Sequence, residues 1–321
     1  MMPINRKQPF ETIYIVFLTL DVLSRIPYWT LIYIFPSNRP RPTWSLAACL
    51  TTAQTKRMYS RRMIAHGYQA DGFAVDQVLD QKTLKKSTVV VIPPANEKYL
   101  KGMALLDPGA YLNSSAREHS WTTTQAYELL KYSTITKIFT HEYRLAPQAP
   151  WPAQLIDAIS AYTYLGVVGS PRCLFINSPW CDMSVDAPTL ESNLLVMEIG
   201  GPIVRSHLAS NGLIEHSASS SSVKPLLSFT SPYLSPGRSN GPRGSFSNLA
   251  PTFITYGDSE AFAPEIQRLV EYMERDGVEA EVRVGQDGMH DFIMNETYCE
   301  RKRSQVWVDV GRWVDRVLVG H

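Results

Sequence analysis

"APTFITYGDSEAFAPEIQRLVEYM", residues 250–273, carries the reading on which the fold turns. Thr252–Tyr256 is a short β-rich run, Gly257–Ala261 a turn, and Pro264–Asp276 a helical pattern with proline in its first turn, where the missing N–H costs nothing. Working outward, the same alternation recurs. Met103–Leu106, Thr136–Thr140, Arg172–Asn177 and Glu279–Val284 read as strands, and Glu118–Lys131, Ala153–Leu165 and Gln305–Leu318 as helices. Short apolar strands alternating with helices predict an α/β fold with a mostly parallel sheet and crossover helices. The turn itself, Gly257-Asp-Ser259-Glu-Ala261, has the Gly-x-Ser-x-small form on which many hydrolases mount a nucleophilic serine.

Composition narrows the function classes. A chain of 321 residues, 44% hydrophobic and 19% charged, is long and apolar enough to bury a sizeable core. A net charge of +1, without long Lys/Arg runs, gives no field that would gather nucleic acid. Cys49, Cys173, Cys181 and Cys299 are scattered with no C-x-x-C pair, so neither a zinc site nor a disulfide framework is expected and they read as buried thiols. No G-x-G-x-x-G or Walker-type loop follows a predicted strand, so no cofactor is expected.

Residues 13–35, "IYIVFLTLDVLSRIPYWTLIYIF", form the longest apolar run. As one helix it would reach across ~30 Å of hydrocarbon. Asp21, Arg25 and Pro27 interrupt it, and a charge at mid-membrane costs roughly 2.5–3.5 kcal/mol on insertion scales, which argues against a simple span. The expectations are a helix pair packed on the domain or serving as a cap, or association with a membrane surface, so that the protein is cytoplasmic or membrane-associated. The Pro-rich "PSNRPRPTWS" at 36–45 ends the segment. The domain reading is therefore 1–45 for the apolar helical segment with its connector and 46–321 for the α/β body, with a loop-rich, cap-like insertion at 185–250.

Four motifs, in order, carry a resemblance. "EYRLAPQAPWPAQLIDAISAYTYL" (142–165), "NSPWCDMS" (177–184), "SPYLSP" (231–236) and "GQDGMHDF" (285–292) resemble the corresponding segments of the hormone-sensitive-lipase family of α/β-hydrolases, esterases and lipases among them. The N-terminal segment with "RPRPTWS" is similar to that of fungal members. The resemblance implies carboxylic-ester hydrolysis of a small hydrophobic ester by a serine, a histidine and a carboxylate, with backbone N–H groups for the oxyanion. It places the histidine at His290, in the loop after the last strand. His119, His141, His207, His216 and His321 have no such context.

Chain order then decides how Gly257–Ala261 is read. The fold places nucleophile, acid and histidine in that sequence, and after Ser259 only one strand and its loop precede His290. The resemblance makes this the acid turn. Glu260, 30 residues ahead of His290, fits the Gly-x-x-Glu slot, Asp258 is the fallback, and Ser259 stays as the weaker nucleophile candidate.

The nucleophile elbow itself is missing. Only Gly166–Pro171 joins the helix ending at Leu165 to the strand beginning at Arg172, where a family member has a strand, its serine turn and a helix. Ser170 has no strand before it. The family's His-Gly-Gly-Gly oxyanion motif is also replaced, by Asp107-Pro-Gly-Ala-Tyr111. Pro108 lacks an N–H and Asp107 brings negative charge, while each oxyanion donor is worth on the order of 2.7–4 kcal/mol. Gly109 and Ala110 remain as possible donors. Three expectations follow: a hydrolase-like sheet truncated at its nucleophile strand; an ester hydrolase whose sequence omits that segment through a skipped exon; or a catalytically inactive relative that binds a hydrophobic ligand, partner or membrane surface.

Overall fold

The computed structural model describes residues 8–66, 88–92, 102–106, 128–129, 131–134, 137–142, 172–182, 231–232, 235–294 and 298–319. Six strands are described: β1 Thr88–Ile92, β2 Gly102–Leu106, β3 Lys137–Glu142, β4 Leu174–Asn177, β5 Thr252–Gly257 and β6 Ala280–Gly285. The main helices are α1 Phe10–Tyr33, α2 Leu46–His66, α3 Ala263–Arg275 and α4 Glu300–Val319. The strands predicted from sequence all appear, with ends shifted by one or two residues, and β1 is added where no strand was predicted.

The sheet differs from the single layer expected. Among the described residues the strands form two three-stranded sheets, in the orders β1-β3-β2 and β4-β5-β6. β3 pairs antiparallel with β1 and parallel with β2, while β5 pairs parallel with β4 and β6. Among the described residues the two sheets part between β3 and β4 in chain order.

β5 is the axis of the second sheet, and every one of its residues is buried. Side chains alternate between the faces of a strand, and β5 uses both. Phe253 enters a cluster with Val306, Trp307, Val310, Trp313, Val314 and Val317 of α4. Ile254 and Tyr256 enter another with Ile266, Leu269, Val270 and Met273 of α3. Two helices thus cover opposite faces of a parallel sheet, which explains why β5 is apolar almost throughout. Phe253 meets Trp313 edge-on with ring centroids 5.4 Å apart, and Phe175 of β4 lies 5.7 Å from Trp307.

α3 starts close to the predicted point and stops at Gly277, whose φ of +82° closes the helix in the left-handed region that glycine enters without steric cost. α4 begins five residues earlier than the apolar pattern indicates. Its first turn, Glu300-Arg-Lys-Arg303, is polar and carries no core signal, so periodicity alone misses it. Of the predicted helix 118–131 only the end is described, at 128–129 and 131–132, while that at 153–165 lies outside the described residues. Gly311 of α4 packs so closely on the carbonyl oxygen of Tyr132 that a Cβ there would stand 2.0 Å from it.

The apolar segment is one continuous helix and not a pair broken at Pro27. α1 runs through Pro27, and its partner is α2, which starts after the connector. Proline removes one intrahelical hydrogen bond. Here the ring lies on the exposed side, and α2 supports the helix on the other: Arg57 donates from Nε to Oδ2 of Asp21 at 2.7 Å. The cysteine reading needs one correction. Cys49 and Cys181 are buried and Cys173 half-buried, but Cys299 is exposed because it sits just ahead of the polar first turn of α4.

Trp313 is fully buried between α4 and β5. Trp313→Ala is expected to cost about 3–5 kcal/mol, read as a lower urea midpoint with an unchanged slope.

Candidate acid–histidine site

The site forms where the C-terminal end of β5 meets the loop after β6. The two loops touch through their backbones. Asp258 N–H donates to Gly285 O at 3.0 Å and Ser259 N–H to Gly288 O at 2.9 Å. Gly257 makes this approach possible, since a Cβ there would stand 2.0 Å from Gly288 O. No L side chain fits that gap.

On this frame the structure brings Glu260 and His290 together. The Glu260 side chain is completely buried, and its Oε2 lies 3.8 Å from His290 Nδ1, an ion-pair contact longer than a hydrogen bond. His290 keeps 48% of its side chain exposed, with Phe262 edge-on to the ring at 5.4 Å. Trp180 stacks on Phe262 from the other direction, at 5.3 Å.

Glu260 is held by groups that sequence reasoning did not single out. Ser178, at the end of β4, donates its hydroxyl to Glu260 Oε2 at 2.7 Å, and the Gly257 N–H points to the same oxygen at 3.3 Å. The Ser178 hydroxyl in turn accepts the Asp291 N–H at 3.0 Å, which ties acid and histidine loop to one atom. Ser178 adopts φ +42°, uncommon for a non-glycine residue. That turn is fastened by its own N–H, which donates to Thr255 O at 2.7 Å. The other carboxylate oxygen, Oε1, is buried without a hydrogen-bond partner among the described residues.

Asp291 is the second unforeseen member. Its Oδ2 is 3.5 Å from His290 Nε2, the nitrogen that a serine hydrolase turns towards its nucleophile. Asn177 Nδ2 donates to Asp291 Oδ1 at 2.8 Å, and Thr255 Oγ1 donates to Asn177 Oδ1 at 2.8 Å, so the carboxylate is positioned from β4 and β5. The signals were present in the sequence: "NSPW" closes a strand, and an aspartate follows the histidine directly.

Electrostatics follow from this geometry. Packing around His290 opposes its charged form, but the negative charge of Asp291, then the proximity and charge of Glu260, outweigh it and push the imidazole up to about 9. Burial raises the Asp291 carboxyl, with His290 pulling the other way and Glu260 adding to the rise. At neutral pH His290 is therefore an imidazolium between two carboxyl groups.

Asp258 and Ser259 are engaged elsewhere. Ser259 Oγ donates to Asp258 Oδ1 at 3.0 Å, and Asp258 Oδ1 also accepts the Asp287 N–H at 2.8 Å. Arg41 from the connector reaches in, donating to Asp258 O at 2.9 Å with its other terminal nitrogen 3.5 Å from Asp258 Oδ1. Thr43 donates to Asp287 Oδ1 at 2.7 Å, and Trp44 Nε1 to Asp287 O at 3.1 Å. Gly109, Ala110 and Ser170 lie outside the described residues.

The sequence matches no protein-family model, and no curated protein matches it. Solved structures do resemble it. An esterase/lipase from an uncultured bacterium aligns at 19% identity with a TM-score of 0.54, over 73% of this chain and 85% of that one. A hormone-sensitive-lipase homologue, EstE7, from a metagenome library aligns at 18% identity and TM-score 0.56, over 73% and 87%. The esterase LipW from Mycobacterium marinum aligns at 16% and 0.52, over 84% and 88%.

Three outcomes are expected at the site. His290 binds its proton more tightly in the folded chain than at its ordinary value of 6.5, so the stability it contributes is fully present below pH 6.5 and is lost as pH rises through about 9. Chemical denaturation across that range should show the decline. Glu260→Gln should move the imidazole titration, followed by NMR, back towards 6.5; an unmoved titration would refute the assigned cause. Gly257→Ala should lower stability by about 1–3 kcal/mol, as overpacking does, in thermal unfolding. With the loops, strands and helices in place, the likeness is one of fold, and the chain has the α/β-hydrolase type of fold found in these esterases and lipases.

Proposed function

We propose that this protein is a carboxylic-ester hydrolase-like protein that retains the acid and the histidine of a serine-hydrolase site, Glu260 and His290, without a nucleophilic serine in this chain. One observation carries the reading: a fully buried carboxylate at the end of β5 faces Nδ1 of a half-exposed histidine in the loop after β6. That is the relation in which a carboxylate sets the tautomer of a catalytic imidazole. The ligand class is a small hydrophobic ester, in keeping with Trp180 and Phe262 beside the histidine. A place in fungal secondary metabolism rests on analogy with fungal members of the resembling family.

The missing serine is the point of departure. Ser259 is turned to Asp258, and Ser178 is buried and donates to Glu260. The short link from Gly166 to Pro171 in the sequence supports a sheet truncated at its nucleophile strand. A second reading, a catalytically inactive relative that binds a hydrophobic ligand, is favoured by His290 itself. A general base must be neutral at the working pH, and a histidine pushed up to about 9 with Asp291 beside Nε2 is not.

The purified chain is expected to show no turnover of p-nitrophenyl acetate and no covalent labelling by a fluorophosphonate. Labelling that disappears on Ser259→Ala would restore Ser259 as nucleophile. Sequencing the transcript separates the two readings. An in-frame Gly-x-Ser-x-Gly segment between the codons for Leu165 and Arg172 would make the hydrolase complete, and its absence would favour the binding protein.

A further inference from the structure

α1 is built inside out relative to a helix of a water-soluble fold. After Glu11 its only charged residues are Asp21 and Arg25, and Asp21 pairs with both Arg25 and Arg57 of α2, which draws this charge towards the seam between the helices. The outward side is apolar. Ile13, Val16, Phe17, Leu20, Leu31 and Phe35 are all exposed, Phe17 at 63% and Leu31 at 70%. Such a continuous apolar face on an exposed helix marks an interaction surface.

The hydroxyls on the helix speak to what covers it. Thr19 Oγ1 donates back to Ile15 O at 2.9 Å, Ser24 Oγ to Asp21 O at 2.8 Å and Thr30 Oγ1 to Ile26 O at 2.8 Å. Each donor is satisfied within the helix and asks nothing of its surroundings, as a hydrocarbon environment requires. The helix of 24 residues is ~36 Å long, far more than one protein pocket would cover. It does not cross on its own account, because α2 packs along it with Lys56 and Arg57, and crossing would carry those charges into the hydrocarbon.

We propose that α1 docks on a lipid bilayer through this outward face, lying in the plane of the membrane with α2 above it. The docking is hydrophobic, since the exposed residues named on the face are all apolar. The docked helix pair is itself tied to the acid–histidine site. Tyr33 at the end of α1 packs with Trp44, Ala48 and Cys49 against Met289, the neighbour of His290, and Thr52 of α2 donates to Met289 Sδ at 3.1 Å. The inference stands whether or not the site hydrolyses esters.

The test is flotation of the full chain with neutral phosphatidylcholine vesicles. The protein should float with them equally at low and high salt, and Phe17→Glu combined with Leu31→Glu should weaken binding roughly tenfold or more, with an unchanged far-UV spectrum. Should that variant fail to fold, an environment-sensitive fluorophore on Leu20→Cys in a Cys299→Ser background provides the second reading, a blue shift on adding vesicles. Failure to float with no blue shift overturns the proposal. Binding confined to anionic vesicles and abolished by salt overturns it too. So does vesicle-independent self-association removed by the same double variant, which would assign the face to a second copy of the chain.

Discussion

The contact between Gly257 and Gly288 is the constraint on which the candidate site depends. Two backbones approach so closely that neither glycine tolerates a Cβ without displacement, and the N–H groups of Asp258 and Ser259 bond across the gap. Because β5 and β6 are parallel neighbours in register up to Gly257 and Gly285, their two loops emerge side by side at the same sheet edge. Everything chemical follows from that adjacency. A carboxylate three residues beyond Gly257 and an imidazole two residues beyond Gly288 have little choice but to face each other. Ligand sites in open parallel sheets lie at the carboxyl ends of strands for the same reason.

Around that contact the molecule arranges a polar network that sequence spacing alone does not reveal. Ser178 joins the acid to the backbone of Asp291, and Asn177 joins Asp291 to Thr255. The ends of β4 and β5, the acid turn and the histidine loop thus share a single hydrogen-bonded group, in surroundings where an unmet buried polar atom is costly. A second carboxyl at Nε2 sets this site apart from a working triad. It holds a proton on the histidine at the nitrogen that, in a serine hydrolase, accepts the proton of the serine.

The N-terminal hairpin is joined to the same place. Arg41, Thr43 and Trp44 fasten the connector to Asp258 and Asp287, the outer sides of the two loops that carry Glu260 and His290. The apolar helix is therefore fixed to the body through the turns of the candidate site. Asp258, the fallback acid, gives its backbone carbonyl and Oδ1 to this fastening. Two carboxylates two residues apart thus serve different ends, one as the hinge pin of the connector and one facing the histidine.

The strand–turn–helix order, the parallel pairing and the positions of Glu260 and His290 were legible in the sequence, because alternating periodicity and chain order are local and linear properties. Other features had to wait for the folded chain. That Pro27 would not break α1 depends on support from α2. That Ser178 and Asp291 join the site depends on β4 lying beside β5, a pairing of residues 82 and 113 positions apart along the bonds they make. The charge state of His290 depends on which carboxylates the two loops bring within 4 Å of it. Composition and pattern decide what a segment becomes; distances between segments, which set both burial and electrostatics, exist only once the tertiary structure has formed.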